Sequence, residues 1–278
     1  MDLSIQALIM GLVQGLTEFL PVSSSGHLVL VPWLFGWKDP FINSVAFTVV
    51  LHMGTLVALL AFFWRDWVTL VPAGLAAIRD RSLKGDPNRK MAFLLVVATI
   101  PAVLAGPVFE AKLEDLVREP ARIALMLCVG AVILWLADRW GRKDRDETGL
   151  TFRESFGIGL AQVIALVPGI SRSGISISAG LFAGLNREAA ARFSFLMATP
   201  AIGGAGFWEA RKFFTHEAGP SPEMNVIVIG FVAALVSGFL AVRFMLEFLK
   251  RRPLTVFILY RVAAAVLVFI VLLSPHGA

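Results

Sequence analysis

A short polar run interrupts the apolar N-terminal region and brings together side chains that can transfer protons and bind anions. The run reads FLPVSSSGH over residues 19–27, and it follows Gln14 and Glu18, which are four residues apart and share one face of a helix. Gly26 would let a ligand approach the backbone closely, and His27 can gain or lose a proton near neutral pH. These residue types suit proton transfer next to a bound anion.

Two interpretations are open for the three serines in this run. Ser23, Ser24 and Ser25 precede a second apolar stretch, where serine is a favoured helix N-cap. One cap needs only one serine, so the remaining hydroxyls are candidates to bind or attack a substrate. A structural histidine is the corresponding alternative for His27. An ionisable residue such as Glu18 is costly in an apolar segment, and we therefore treat it as a functional candidate.

The sequence PGISRSG over 168–174 is a second polar interruption. Its guanidinium, on Arg172, would bind a planar oxyanion, either a phosphate or a carboxylate such as that of Glu18. Three neighbours repeat the donor-rich turn chemistry of the first run: Ser171, Ser173 and Gly174. Together, the two polar runs supply a nucleophile, a proton-transfer pair and a guanidinium, which are the groups that phosphoryl transfer requires. No zinc-ligand spacing, Walker loop or dinucleotide fingerprint occurs, so nucleotide chemistry has no support.

The composition predicts that these groups are embedded in a membrane. Of 278 residues, 57% are hydrophobic and only 16% are charged, and the mean hydropathy is +0.77, more than a soluble domain needs. Asp2 stands where a secretory signal would carry basic residues, so we expect the first segment to stay in the protein. Cys128, the only cysteine, is expected to be an apolar filler. Six stretches are long enough to cross a bilayer: 43–64, 91–109, 121–138, 189–210, 224–246 and 254–273.

The distribution of basic residues predicts the orientation of the chain. The net charge of +5 does not indicate nucleic acid here, because lysine and arginine in a multi-pass protein follow the positive-inside rule. Segments 65–90, 139–153 and 243–252 are rich in basic residues and are predicted to be cytoplasmic. Segments 110–120 and 211–223 are then predicted to face outward, as is the C-terminus.

Internal similarity predicts a duplicated architecture within one integral membrane domain, 1–278. Residues 11–26 align with 159–174, and residues 53–64 align with 197–208. The first alignment matches polar and glycine residues rather than apolar ones alone, which argues against chance: Gly11 with Gly159, Gln14 with Gln162, Ser23 with Ser171, Ser25 with Ser173 and Gly26 with Gly174. We predict repeats of approximately 1–140 and 154–278, joined by the charged segment 139–155.

Each repeat would hold one interrupted segment and three spans, and because three is odd the second copy would enter the membrane from the opposite side. We therefore predict an all-α, inverted-topology protein with six full transmembrane helices. The interrupted segments, 5–36 and 156–186, are predicted to be re-entrant hairpins whose polar breaks meet near the midplane. Non-helical backbone is tolerated there only when protein or a water-filled cavity satisfies it, and helix N-termini at the breaks would favour an anion.

Both motifs, in this order, resemble those of the bacterial undecaprenyl-pyrophosphate phosphatases. QGLTEFLPVSSSGH, 14–27, is similar to that family's Glu/Gln-x-x-x-Glu motif with its serine-rich turn. PGISRSG, 168–174, is similar to the family's Pro-Gly-x-Ser-Arg-Ser motif. The likeness covers essentially the whole chain.

The resemblance implies hydrolysis of undecaprenyl pyrophosphate to undecaprenyl phosphate and phosphate in the bacterial inner membrane. This reaction would recycle the lipid carrier for peptidoglycan synthesis and confer bacitracin resistance. It also implies a divalent cation, Mg²⁺ or Ca²⁺, with Glu18 as a possible ligand, and a possible homodimer. The catalytic residues carried over are Glu18, Ser24, His27 and Arg172, and the substrate-binding residues are Gln14, Ser23, Ser25, Gly26, Ser171, Ser173 and Gly174. Gln14 stands where many members have glutamate.

From architecture alone, a transporter or flippase of a lipid phosphate or another anion is the alternative.

Overall fold

The computed structural model describes residues 1–113, 119–215 and 223–274. Over these ranges the chain forms eleven α-helices, one short 3₁₀ turn at Glu147–Gly149 and no named strand. The all-α prediction is confirmed. In chain order the helices are α1 Leu3–Phe19, α2 Ser24–Phe35, α3 Val45–Phe62, α4 Trp64–Asp80, α5 Pro87–Leu113, α6 Pro120–Trp140, α7 Phe152–Ile164, α8 Arg172–Phe182, α9 Arg187–Thr215, α10 Met224–Leu249 and α11 Thr255–Leu273.

Five helices are long and apolar enough to cross a membrane, namely α3, α5 over Pro87–Gly106, α6, α10 and α11. The protein is therefore a multi-pass membrane protein. In the described ranges α9 is not among the five, although it contains the predicted span 189–210. It begins with Arg187 and Glu188 and also carries Arg192, which lowers its apolar content. The six-span layout stays a prediction.

Small residues let α1 lie against α10. A Cβ atom at Gly15 would overlap the hydroxyl of Ser237, and one at Gly11 would overlap the carbonyl of Gly230. Such close packing is characteristic of membrane helices, because lipid provides no hydrophobic force to press two helices together. The contact fixes the helix that carries Gln14 and Glu18.

The end of α1 is held by the largest apolar cluster. Phe19 is 1% exposed and packs edge-to-face on Phe195 of α9, with ring centroids 5.5 Å apart. Leu59 of α3 belongs to the same cluster. Glu18, the neighbour of Phe19, is thereby fixed where the chain turns into the first polar break.

One helix was not expected from the sequence. The segment 65–90, interpreted only as a basic segment between spans, contains most of α4. Leu70, Ala73 and Ala77 of this helix are buried, whereas Leu75 is 63% exposed. The charged residues of α4 reduce its mean hydropathy, which hides the helix from a search for apolar stretches. The predictions for 110–120, 211–223 and the C-terminus fall mostly outside the described residues.

A capping box starts α7 and so helps to place the second break. The Thr151 hydroxyl accepts a hydrogen bond from the backbone N–H of Glu154, whose carboxylate accepts one from the Thr151 backbone in return. Arg145 donates to the same carboxylate over 2.9 Å. Partial burial raises the pKa of Glu154, but the hydrogen bonds from Thr151 and Arg145 outweigh it and hold this pKa below its ordinary value.

Candidate active site

The two polar breaks, which are far apart in the sequence, are in direct contact. The backbone N–H of Gly169 donates to the Ser23 hydroxyl oxygen over 3.1 Å. In the other direction, the Ser173 hydroxyl donates to the carbonyl of Leu20 over 3.0 Å. The breaks between α1 and α2 and between α7 and α8 therefore form one site.

The corresponding serines of the two breaks have the same local geometry. Ser23 has φ 78° and Ser171 has φ 79°, a backbone region that non-glycine residues seldom adopt. Each is a helix N-cap: Ser23 accepts from the Gly26 N–H over 3.3 Å and Ser171 accepts from the Gly174 N–H over 3.1 Å. The capping interpretation thus applies to these two serines, and it leaves Ser24 with another role.

Glu18 is the centre of the site, and its side chain is only 2% exposed. One carboxylate oxygen accepts from Gln14 Nε2 over 2.9 Å and from Ser24 Oγ over 2.5 Å. The other oxygen forms an ion pair with Arg172. His52 Nε2 lies 3.6 Å from the first oxygen. Glu18 thus connects the two breaks, through Ser24 on one side and Arg172 on the other.

Arg172 thus has an acidic neighbour, which the other half of the chain supplies. The ion pair required by the structural interpretation of Glu18 and Arg172 is present. The Arg172 side chain keeps 22% of its surface exposed, so this residue is not fully enclosed by protein. The prediction that Arg172 binds phosphate stays a prediction.

His27 is bonded away from Ser24. Its Nδ1 lies 2.7 Å from the carbonyl oxygen of Ser23, and its Nε2 lies 2.7 Å from the hydroxyl of Tyr260 on α11. A carbonyl can only accept, so we assign the proton to Nδ1, and Nε2 then accepts from Tyr260. In this arrangement Glu18, rather than His27, is hydrogen-bonded to the Ser24 hydroxyl.

Arg261 is a further site residue that was not predicted. It is fully buried, and its guanidinium donates to carbonyls of both breaks: to Pro21 over 3.1 Å, to Gly169 over 2.7 Å and to Ile170 over 3.0 Å. It also donates to Leu127 of α6 over 3.0 Å. One arginine thereby stabilises carbonyls that the breaks would otherwise leave without helical partners.

The sequence contains a signal for two of the three missed residues, Arg261 and His52, but not for Tyr260. Arg261 is an arginine inside the predicted span 254–273, and a charge in such a segment is a functional or structural marker by default. Tyr260, next to it, is the only tyrosine of the chain. His52 lies in the predicted span 43–64 and carries the same kind of signal.

The residues present do not form a complete metal site by themselves. Within the described ranges no group of three or more histidine, cysteine, aspartate or glutamate side chains could hold an ion. Glu18 supplies one carboxylate, and Gln14 Oε1 beside it is buried without a hydrogen-bond partner. Carboxylate and amide oxygens are ligand types that magnesium-like ions accept, and the other ligands would have to come from substrate phosphates and water.

The fold and the site define a polytopic membrane protein with a buried carboxylate, a serine and an arginine at the junction of two broken helices. A family profile described as "Bacitracin resistance protein BacA" matches residues 7–267. The chain belongs to this family.

Curated relatives support the same assignment over nearly their full lengths. The undecaprenyl-diphosphatase of Moorella thermoacetica is 43% identical over 264 residues, covering 95% of this chain and 96% of the relative. That of Rubrobacter xylanophilus is 44% identical over 271 residues, covering 97% and 98%. That of Thermodesulfovibrio yellowstonii is 41% identical over 270 residues, covering 97% and 98%.

Proposed function

We propose that this protein is an undecaprenyl-diphosphatase, which hydrolyses undecaprenyl pyrophosphate to undecaprenyl phosphate and inorganic phosphate. The observation that carries the proposal is the Ser24 hydroxyl, 2.5 Å from the Glu18 carboxylate, which also forms an ion pair with Arg172, in a chain of the BacA family. The relatives above are named for this reaction. Their names do not favour the transporter alternative.

In the proposed mechanism Ser24 is the nucleophile. Its oxygen attacks the terminal phosphorus while Glu18 accepts the hydroxyl proton, as a general base does when it activates a serine. The bond from that phosphorus to the bridging oxygen breaks, and undecaprenyl phosphate leaves with the bond's electron pair. Water then attacks the phosphoserine, releases inorganic phosphate and restores the Ser24 hydroxyl. Direct attack by water, deprotonated by Glu18, is the variant of this mechanism without a phosphoserine.

Arg172 is the proposed phosphate ligand. A guanidinium can donate to two phosphate oxygens at once and stabilises the charge that develops in the transition state. To do so it must exchange part of its contact with Glu18 for the substrate, and its 22% exposed side chain lies where this exchange is possible. The N-termini of α2 and α8 add backbone N–H groups at the same junction.

His27 is proposed to orient the turn and to take part in proton transfer through Nε2, which Tyr260 contacts. Tyr260 is 46% exposed, so this hydrogen-bonded pair extends from the site to the surface of the protein. The other serine and glycine residues of the breaks are proposed to bind the pyrophosphate. These are Ser23, Ser25, Gly26, Ser171, Ser173 and Gly174.

We also propose a divalent cation, Mg²⁺ or Ca²⁺, with oxygens from Glu18 and Gln14 Oε1 and the remainder from the pyrophosphate and water. Such an ion would neutralise charge on the transferring phosphoryl group. Chelation with EDTA should abolish hydrolysis, and added Mg²⁺ or Ca²⁺ should restore it. Full activity of a protein stripped of metal would contradict this part of the proposal.

The proposed layout is an inverted repeat of about 1–140 and 154–278 in the bacterial inner membrane, with two re-entrant hairpins and six spans. The matching φ angles and cap bonds of Ser23 and Ser171 support the repeat. A cytoplasm-only reporter inserted near Gly85 should be active, and one fused after Ala278 should be silent; the opposite pattern would contradict the layout. A homodimer is proposed on family likeness alone.

The proposed role in the cell is to recycle the lipid carrier for peptidoglycan synthesis, which opposes bacitracin. The test of the activity is release of phosphate from undecaprenyl or farnesyl pyrophosphate by the purified protein in detergent. Hydrolysis needs no membrane compartments, whereas transport needs two. Phosphate release above the level of an inactive variant supports the proposal, and its absence from an intact, metal-supplied protein would refute it.

A further inference from the structure

A cavity of about 340 Å³ lies where the end of α6 and the start of α11 approach the beginning of α9. It shares no lining residue with the candidate active site. Trp135 and Ile258 line it on the apolar side, and Asp138, Arg139, Lys143 and Arg187 line it on the polar side. The site mechanism uses none of these residues.

The cavity has an excess of positive charge. Its three cations face a single carboxylate, that of Asp138, which accepts from Arg187 Nε over 2.5 Å and from the backbone N–H of Leu254 over 3.2 Å. Lys143 Nζ donates over 2.7 Å to the backbone carbonyl of Asp138 and not to its carboxylate. Two positive charges therefore remain without an acidic partner in the cavity wall, which suits a phosphate group.

The geometry of Arg187 also suits an oxyanion. Asp138 engages it through Nε, and no hydrogen bond from either of its two terminal nitrogens occurs in the part of the chain that the structure describes. Its side chain is 29% exposed. A guanidinium held at Nε has its position fixed, while its terminal N–H groups can donate to phosphate oxygens.

Aromatic residues place the cavity at the depth of lipid headgroups. Trp135 is 50% exposed and Trp140 is 67% exposed, and both lie on the last turns of α6, with ring centroids 6.4 Å apart. Tryptophan is enriched at the membrane–water interface. The apolar span of α6 ends here, and the basic segment 139–153 begins. A ligand in the cavity would meet cations at one end and apolar side chains at the other.

We propose that this cavity binds the phosphate group of an anionic membrane lipid, such as phosphatidylglycerol. Basic pockets between transmembrane helices on the basic face of a protein are suited to such headgroups. Trp135 and Ile258 would contact the first carbons of the acyl chains. The site is separate from the hydrolytic centre, and its test does not depend on the proposed function. Inorganic phosphate is the other source of the same chemistry.

Native mass spectrometry of the full chain in detergent measures the binding. We expect the protein to retain phosphatidylglycerol saturably and in preference to phosphatidylcholine, and inorganic phosphate at millimolar concentration not to displace it. Displacement by inorganic phosphate would assign the cavity to the free anion and overturn the lipid proposal. Equal retention of the two lipids would also overturn it.

Matched variants locate the binding. Arg139→Gln and Lys143→Gln should each weaken retention of phosphatidylglycerol about fivefold, because one basic residue near a lipid surface contributes about that factor. Arg251→Gln removes a charge whose side chain is 81% exposed and lies outside the cavity, so it is the control and should have no effect. Arg187→Gln is less informative, because it leaves Asp138 without its ion pair.

A second measurement, fluorescence quenching, locates the bound lipid without comparing the lipid affinities of the variants. Brominated phosphatidylglycerol should quench less of the total tryptophan fluorescence in Trp135→Phe than in the wild-type protein. The melting transition in the same detergent should be unchanged in Arg139→Gln and Lys143→Gln, which shows that these variants are folded. Wild-type lipid retention in both charge variants, or equal quenching with and without Trp135, would refute the assignment.

Discussion

Replacing Glu18 by glutamine removes the charge at the centre of the site and keeps the size of the side chain. The carboxylate accepts from Gln14, Ser24 and Arg172. In the variant, the amide oxygen can remain toward Arg172 while the amide nitrogen faces Ser24 and Gln14. Both of these neighbours can respond, because a hydroxyl rotates and a glutamine amide can turn its oxygen to accept. We expect the variant to fold.

The Glu18→Gln variant should lose some folding stability and, separately, catalytic rate. Breaking a fully buried ion pair costs about 3–5 kcal/mol, and with the Arg172 side chain 22% exposed the cost here should lie below this range. Loss of a general base typically reduces a rate by about 10²–10⁴-fold. We therefore predict that kcat falls by about 10²–10⁴-fold. KM should not rise, because Arg172 loses its competing carboxylate and keeps its charge for the substrate.

The assay is phosphate release by purified Glu18→Gln and wild-type protein at matched concentration, with a melting curve in the same detergent. Glu223→Gln is the matched control, because it makes the same change at the exposed cap of α10. Near-normal kcat would exclude Glu18 as the base. A rise in KM together with collapse of the melting transition would instead show that the ion pair with Arg172 is mainly structural.

Three other predictions concern groups around Glu18. Arg172→Lys should lose most activity, since an ammonium cannot donate in the planar two-point geometry of a guanidinium. Arg172→Ala should lose nearly all activity, because it removes on the order of 3–4 kcal/mol of transition-state stabilisation. Near-normal kcat/KM in the lysine variant would contradict the phosphate-binding role. Ser24→Ala should abolish turnover while substrate still binds, whereas Ser25→Ala should reduce turnover only in part; similar mild losses in both, measured by steady-state kinetics, would favour direct attack by water. Tyr260→Phe removes one hydrogen bond to His27, and such a bond is worth about 0.5–1.5 kcal/mol. We expect kcat to fall by up to about tenfold with KM unchanged. An unchanged kcat would show that catalysis does not depend on this contact.

Much of the site could be predicted from the sequence, because most of its candidate functional residues lie in two short motifs. Glu18 and Arg172 stand out as charges in apolar surroundings, and the serines and glycines predict breaks in the helices. The contact between the breaks follows from their shared need for backbone partners in a membrane. The structure confirms that contact through Ser23, Gly169 and Ser173.

The residues that were missed act through tertiary contacts. Tyr260 lies 233 positions after His27, and no local pattern predicts their hydrogen bond. Arg261 donates to backbone carbonyls, and every residue carries one. The amino-acid sequence therefore cannot show which residues are its partners. The sequence leaves the partner of Arg172 open between a phosphate and the Glu18 carboxylate. Only the packing of α1 against α8 shows that the two side chains form an ion pair.

The most direct test of the proposed function is to follow both products of one reaction. Purified wild-type protein in detergent, supplied with Mg²⁺ and undecaprenyl pyrophosphate, should release inorganic phosphate and form undecaprenyl phosphate in equal molar amounts, measured by phosphate assay and by chromatography of the lipid. Arg172→Ala, prepared in parallel, should form neither above background. Unchanged undecaprenyl pyrophosphate after incubation with intact wild-type protein, or equal product formation by the variant, would contradict the account.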